Sequence, residues 1–160
     1  MRIKDLPKLA VSIFICLATG SAGSVYTRGS IEQWYRYLVK PSFNPPAWVF
    51  APVWTILYFM MGLSFYLVWT ASSSDPFRKK AMVLFCIQLL LNGAWSPVFF
   101  GLRSISGGLV IIVLMWFFIL ATFYYFRKVS FKAALLLVPY LIWVSYALIL
   151  NLSLLLLNTG

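Results

Sequence analysis

ISGGLVIIVLMWFFILATFYYF, residues 105–126, is an unbroken uncharged run. As an α-helix it rises roughly 33 Å, slightly more than the hydrocarbon thickness of a bilayer, about 30 Å. Working outward from it, the same reading applies at about 9–27, 47–70, 81–101 and 133–157, each apolar, with the charged residues lying between the runs and in the N-terminal segment. The expected fold class is therefore all-α integral membrane: a five-transmembrane-helix bundle forming a single domain over 1–160. The composition agrees, with 62% hydrophobic and 10% charged residues, far from the soluble range. In lipid every backbone polar group must be satisfied internally, which helices achieve one segment at a time.

The cations sit between the runs. Arg2, Lys4, Lys8, Arg78, Lys79, Lys80, Arg127, Lys128 and Lys132 fall on one face, and Arg28, Arg36, Lys40 and Arg103 on the other. This asymmetry predicts a cytoplasmic N-terminus. It also accounts for the net charge of +10 without nucleic acid, because the basic residues flank membrane spans. Histidine is absent, and the three acids, Asp5, Glu32 and Asp75, lie in tails or loops. Metal binding and acid–base or nucleophilic catalysis lack their residues, so no metal and no cofactor is expected. Ion-coupled transport lacks intramembrane charge.

One segment admits a second reading. Residues 2–24 combine a basic start, an apolar stretch and small residues, which also describes a secretory signal with its cleavage site. The preferred reading takes Ala18 to Ser24 as a surface for close helix approach. The loop from Arg28 to Pro46 carries Trp34, Tyr35, Tyr37, Phe43 and three prolines, and reads as an ordered interfacial cap over the bundle.

Helical spacing places Trp54, Tyr58 and Met61 on one face of the second span, Gln88, Asn92 and Trp95 on one face of the third, and Trp143, Ala147, Leu150 and Asn151 on one face of the fifth. Trp54, Trp95 and Leu150 each lie about seven residues, roughly 10 Å, from the face bearing the long loop. The three stripes thus meet at one depth. Pro52, Pro97 and Pro139 interrupt the same three spans, and kinked helices leave cavities. Helix packing alone also produces aromatic stripes, and a buried amide finds partners on another helix as readily as on a ligand.

The segments Trp34-Tyr35, Lys40-Pro41-Ser42-Phe43-Asn44-Pro45-Pro46-Ala47-Trp48-Val49-Phe50-Ala51-Pro52-Val53-Trp54, Leu91-Asn92-Gly93-Ala94-Trp95-Ser96-Pro97 and Pro139-Tyr140-Leu141-Ile142-Trp143 occur in an order that resembles the tryptophan-rich sensory protein family (TspO/MBR). That family includes the mitochondrial translocator protein, once called the peripheral benzodiazepine receptor. The resemblance implies a five-helix receptor, often a homodimer. Its ligands would be porphyrins such as protoporphyrin IX, sterols, and isoquinoline carboxamide or benzodiazepine drugs. It maps a pocket onto Ala51, Pro52, Trp54, Asn92, Trp95, Trp143, Ala147 and Leu150. To these the helical stripes add Tyr58 and Gln88.

Two features depart from the family pattern. No Lys or Arg follows Tyr146, so the C-terminal cholesterol motif is incomplete, although Arg127, Phe131 and Leu135 form a reversed version. Gly107 stands where animal members carry a pocket tryptophan. The resulting expectation is a sensory or regulatory binding protein in a bacterial cell membrane. The alternatives are facilitated transport of tetrapyrroles or sterols, and Trp-dependent porphyrin degradation.

Overall fold

The computed structural model describes residues 5–72 and 74–159. Among them five helices follow in order: α1 Leu6–Gln33, α2 Ala47–Trp69, α3 Arg78–Ser96 continuing through a π-helical turn Pro97–Gly101, α4 Ile105–Val129 and α5 Phe131–Asn158. All five are long and apolar enough to cross a bilayer, and no strand occurs among the described residues.

Four of the five helices overrun the uncharged stretches, α2 alone keeping to its own. A charge ends a membrane span but does not end a helix, so α1 continues through Glu32 to Gln33, α3 begins at Arg78, and Arg127 and Lys128 sit in the last turn of α4, where they face the negative end of the helix dipole. The cap over the bundle is accordingly shorter than expected, 34–46 rather than 28–46, with one 3₁₀ turn at Tyr35–Tyr37. Arg2 and Lys4 lie outside the described residues.

Helix starts are set by side-chain caps. Asp5 accepts from the Lys8 amide (3.1 Å), Ser104 from Gly107 (3.0 Å) and Ser130 from Ala133 (3.3 Å). Ser130 is extended and alone joins α4 to α5, its own amide donating back to Phe126. In α3, Pro97 has no N–H to continue the ladder. The Leu102 amide reaches back five residues to the Pro97 carbonyl (2.9 Å), and the wider turn swings Phe99 and Phe100 inward.

The helices form a closed ring, α1–α2–α5–α4–α3 and back to α1. The end bearing Lys8, Arg78 and Lys128 is solid. Phe65, Phe85 and Phe126 stack in sequence with centroids 4.7 and 5.7 Å apart, and Ala81, Ala133, Ala134 and Val68 are fully buried around them. Buried Ser64 donates to the Ala133 carbonyl across α2 and α5 (2.7 Å). A Cβ placed on Gly62 would lie 2.6 Å from the Ile13 Cα, so only glycine permits α1 and α2 to touch here. Toward the other end the helices part around a cavity.

Candidate functional site

The cavity holds about 500 Å³, within the range of small-molecule sites. Its tryptophans come from three helices: Trp54 on α2, Trp95 on α3 and Trp143 on α5. Each ring is fixed by another aromatic. Trp54 stacks on Tyr58 at 5.5 Å, Trp95 on Phe99 at 4.8 Å, and Trp143 meets Phe50 edge-on at 6.0 Å. Trp95 also donates Nε1–H to Asn151 Oδ1 (3.3 Å). The Trp143 Nε1 is buried and has no partner among the described residues.

Beneath the tryptophans runs a buried polar chain. The Tyr58 hydroxyl donates to Asn92 Oδ1, Asn92 Nδ2 donates to the Tyr140 oxygen (2.9 Å), and the Tyr140 hydroxyl donates to Gln88 Oε1 (2.8 Å). Three helices are tied by this chain, and only the Gln88 Nε2 is left without a partner among the described residues. The amides are thereby satisfied mainly by other helices, as a low-dielectric interior requires.

The cap of residues 34–46 lies over the cavity as its lid and is pinned from α5. The Asn158 amide exchanges two hydrogen bonds with the Val39 backbone, both 2.9 Å, and the Tyr146 hydroxyl donates to the Phe43 carbonyl (2.7 Å). Within the lid the Tyr35 hydroxyl donates to Asn44 Oδ1 (2.9 Å), and the ring of Tyr35 packs edge-on against Phe99 and Phe100. Burial raises the Tyr35 phenol above its usual value and the nearby Tyr146 adds to the rise, while the Asn44 bond partly offsets it.

On one side the wall is incomplete. Ser21 on α1 and Ala47, Ala51 and Thr55 on α2 both line the cavity and are exposed. The last three recur every four residues and form one stripe of short side chains. A lateral slit thus runs between α1 and α2, closed at its inner end where Gly20 lies against the Tyr58 ring.

Of the ten residues expected at a site, Ala51, Trp54, Tyr58, Asn92, Trp95, Trp143, Ala147 and Leu150 line the cavity. Pro52 does not. It is exposed, one position round the helix from Ala51, inside an α2 that runs unbroken through it. Gln88 is 1% exposed but lies one helical turn below the lining, holding Tyr140. Gly107 is also outside the wall. A Cβ there would meet Ser104 Oγ and Val98 Cγ1 at 2.8 Å, so the position belongs to the α4 cap and has no room for a tryptophan. The small residues of α1 divide: Gly20 and Gly23 face inward, Gly23 accepting from Ser96 Oγ through its carbonyl (2.7 Å), while Ala18, Ser21 and Ala22 are exposed.

Sequence reasoning missed Phe50, Tyr35, Phe99, Phe100 and the α1 wall. Phe99 and Phe100 are placed by the π turn, for which Pro97 was the available signal. Thr27 and Ser96, joined at 2.9 Å, gave none that spacing alone reveals.

Fold and cavity together define a multi-pass helical membrane protein with a tryptophan-lined chamber beneath an extramembrane cap. A profile described as the TspO/MBR family matches residues 12–157. The chain is 50% identical over 155 residues to "Tryptophan-rich protein TspO" of Chlorobaculum tepidum, covering 97% of this chain and 98% of the relative. It is 42% identical over 132 residues to "Translocator protein" of Homo sapiens, covering 81% and 77%. To "Tryptophan-rich sensory protein" of Cereibacter sphaeroides it is 38% identical over 141 residues, covering 86% and 87%. The chain belongs to the TspO/MBR family.

Proposed function

We propose that the chain is a membrane receptor for flat hydrophobic molecules, porphyrins such as protoporphyrin IX first among them, with sterols and isoquinoline carboxamide or benzodiazepine compounds as further occupants. The observation that carries the reading is the convergence of Trp54, Trp95 and Trp143 on one cavity of about 500 Å³. Conjugated rings gain from such aromatic faces, and the largely apolar wall suits a flat hydrophobic occupant. The role is sensory or regulatory rather than transporting. The solid half of the bundle below Tyr58 and Asn92 blocks a passage through the protein, and exchange takes place through the slit. The more basic end faces the cytoplasm, by the usual bias of Lys and Arg, in a bacterial cell membrane. Pairing of two copies belongs to the same proposal.

The test is tryptophan fluorescence of the purified protein in detergent, titrated in the dark with protoporphyrin IX. Saturable quenching at roughly micromolar porphyrin or below, weakened about tenfold or more by Trp143→Ala, supports the reading. Quenching that fails to saturate refutes porphyrin as the occupant. Loss of porphyrin absorbance in light that stops with Trp54→Phe would replace the receptor by a Trp-dependent degrading enzyme.

A further inference from the structure

A tryptophan ring that forms a binding wall has to be held within its plane as well as against its neighbour. Stacking on a second ring sets the distance between two faces but leaves each ring free to slide and turn in its own plane, because the attraction is broad. A hydrogen bond at the indole N–H removes that freedom, since it is directional and the ring has a single polar donor. The chamber tryptophans differ in this respect. Trp143 Nε1 has no partner among the described residues, whereas Trp95 Nε1 donates to Asn151 Oδ1 at 3.3 Å.

Asn151 is itself held. It is 1% exposed, and its Nδ2 donates to the Ile105 carbonyl in the first turn of α4 at 3.1 Å. The indole can only donate and the carbonyl can only accept, so one orientation of the amide satisfies both and the flipped one satisfies neither. The seat is made by α4. A Cβ on Gly108 would lie 3.1 Å from Asn151 Oδ1 and 2.7 Å from Phe99 Cδ2, so a bare backbone lets the amide and the Phe99 ring enter together. Phe99 in turn covers one face of Trp95, with centroids 4.8 Å apart and planes inclined by 15°, and Phe100 meets the indole at right angles at 5.8 Å. With one face covered and the N–H tied, Trp95 has a single plane to offer the chamber.

We infer that Asn151 is a positioning residue of the chamber: from α5 it sets the plane of the α3 indole on which a flat occupant stacks, and it takes its own orientation from α4. The inference rests on the receptor reading above and deepens it. Without the amide, the indole stays stacked on Phe99 but is free to turn. The effect on an occupant therefore passes through Trp95 and vanishes when that indole is absent. An amide that only joined helices would lower stability and leave affinity alone, or would lower affinity to the same degree with or without the indole.

The test is a double-mutant cycle on porphyrin affinity in the full-length protein in detergent, Asn151→Leu against Trp95→Phe. It is titrated in the dark with protoporphyrin IX and followed by the porphyrin's absorbance, which does not depend on which tryptophans remain. Asn151→Leu is expected to weaken binding about fivefold in the parent and hardly at all in Trp95→Phe. A second readout needs no occupant. The near-ultraviolet circular dichroism of Trp95, isolated as the difference between the parent and Trp95→Phe, should lose most of its intensity when the same difference is taken between Asn151→Leu and the double variant. Gly108→Ala keeps the amide but crowds its seat; it should lower affinity and the Trp95 band together, and it serves where Asn151→Leu fails to fold. Additive effects in the cycle, unchanged affinity in Asn151→Leu, or an undiminished Trp95 band overturn the assignment. A titration that never saturates in the parent, while the Trp95 band still collapses in Asn151→Leu, refutes porphyrin as the occupant and leaves the tether on Trp95 standing.

Discussion

Replacing Asn92 by leucine separates the two roles a buried amide in lipid can have. The change keeps the side chain's approximate size but removes two bonds of the polar chain, the one accepted from Tyr58 and the one donated to Tyr140. Hydrogen bonds between membrane helices contribute about 0.6 kcal/mol on average and up to about 1.7 kcal/mol. Two bonds at those values give a loss of roughly 1–3 kcal/mol. Tyr140 keeps its bond to Gln88, which holds the loss toward the lower half, whereas the Tyr58 hydroxyl is orphaned at 8% exposure and pulls it upward. Unfolding in a denaturing detergent, followed by circular dichroism, measures the loss. A double-mutant cycle with Tyr58→Phe isolates the shared bond, and a coupling of about 0.6–1.7 kcal/mol is expected. Dark porphyrin affinity should fall far less than with Trp143→Ala. The reasoning fails if Asn92→Leu leaves stability unchanged, if the cycle is additive, or if porphyrin binding collapses while stability holds.

Asn158→Ala removes both bonds to the Val39 backbone, and amide exchange at Val39 should accelerate about tenfold while the helices stay protected; unchanged exchange would show the lid is held elsewhere. Because burial raises the Tyr35 phenol, its neutral, hydrogen-bonded form stabilises the lid fully below the unfolded value near 10, and that contribution is lost as pH rises through the higher folded value. Exchange of the lid amides against pH should show the loss only on the alkaline side, and Tyr35→Phe should remove it. Gly62→Val drives a side chain into the Ile13 backbone, which cannot yield as a side-chain tip would, and should lower stability by about 2 kcal/mol or more in the same unfolding assay.

The spans were legible because hydrocarbon thickness imposes a length that no soluble helix must meet. Their ends were not, because Arg127, Lys128 and Glu32 leave the bilayer without leaving the helix. The stripes holding Trp54, Trp95 and Trp143 were legible from period alone, since each faces inward along a regular helix. Gln88 shares its stripe with Asn92 but lies a turn deeper, and a repeat of three or four residues does not state the depth at which a cavity ends. Phe99 and Phe100 escaped for the opposite reason, since Pro97 shifts the helical phase beyond it and the face predicted by extrapolation is no longer the face that points in. The α1 wall was read as packing surface because glycine serves equally for close approach, as at Gly20 against Tyr58, and for leaving space.

The slit between Ser21 and the Ala47, Ala51 and Thr55 stripe alters what concentration means for this chamber. A molecule reaching it there arrives already dissolved among acyl chains, having left water in an earlier and separate partition step. The rate at which the chamber fills then follows the molecule's mole fraction in the surrounding leaflet. Diluting the occupant with extra lipid or detergent, at fixed total volume, slows that filling in a way that adding buffer does not. Two membranes holding the same dissolved amount but different areas would fill the chamber at different rates.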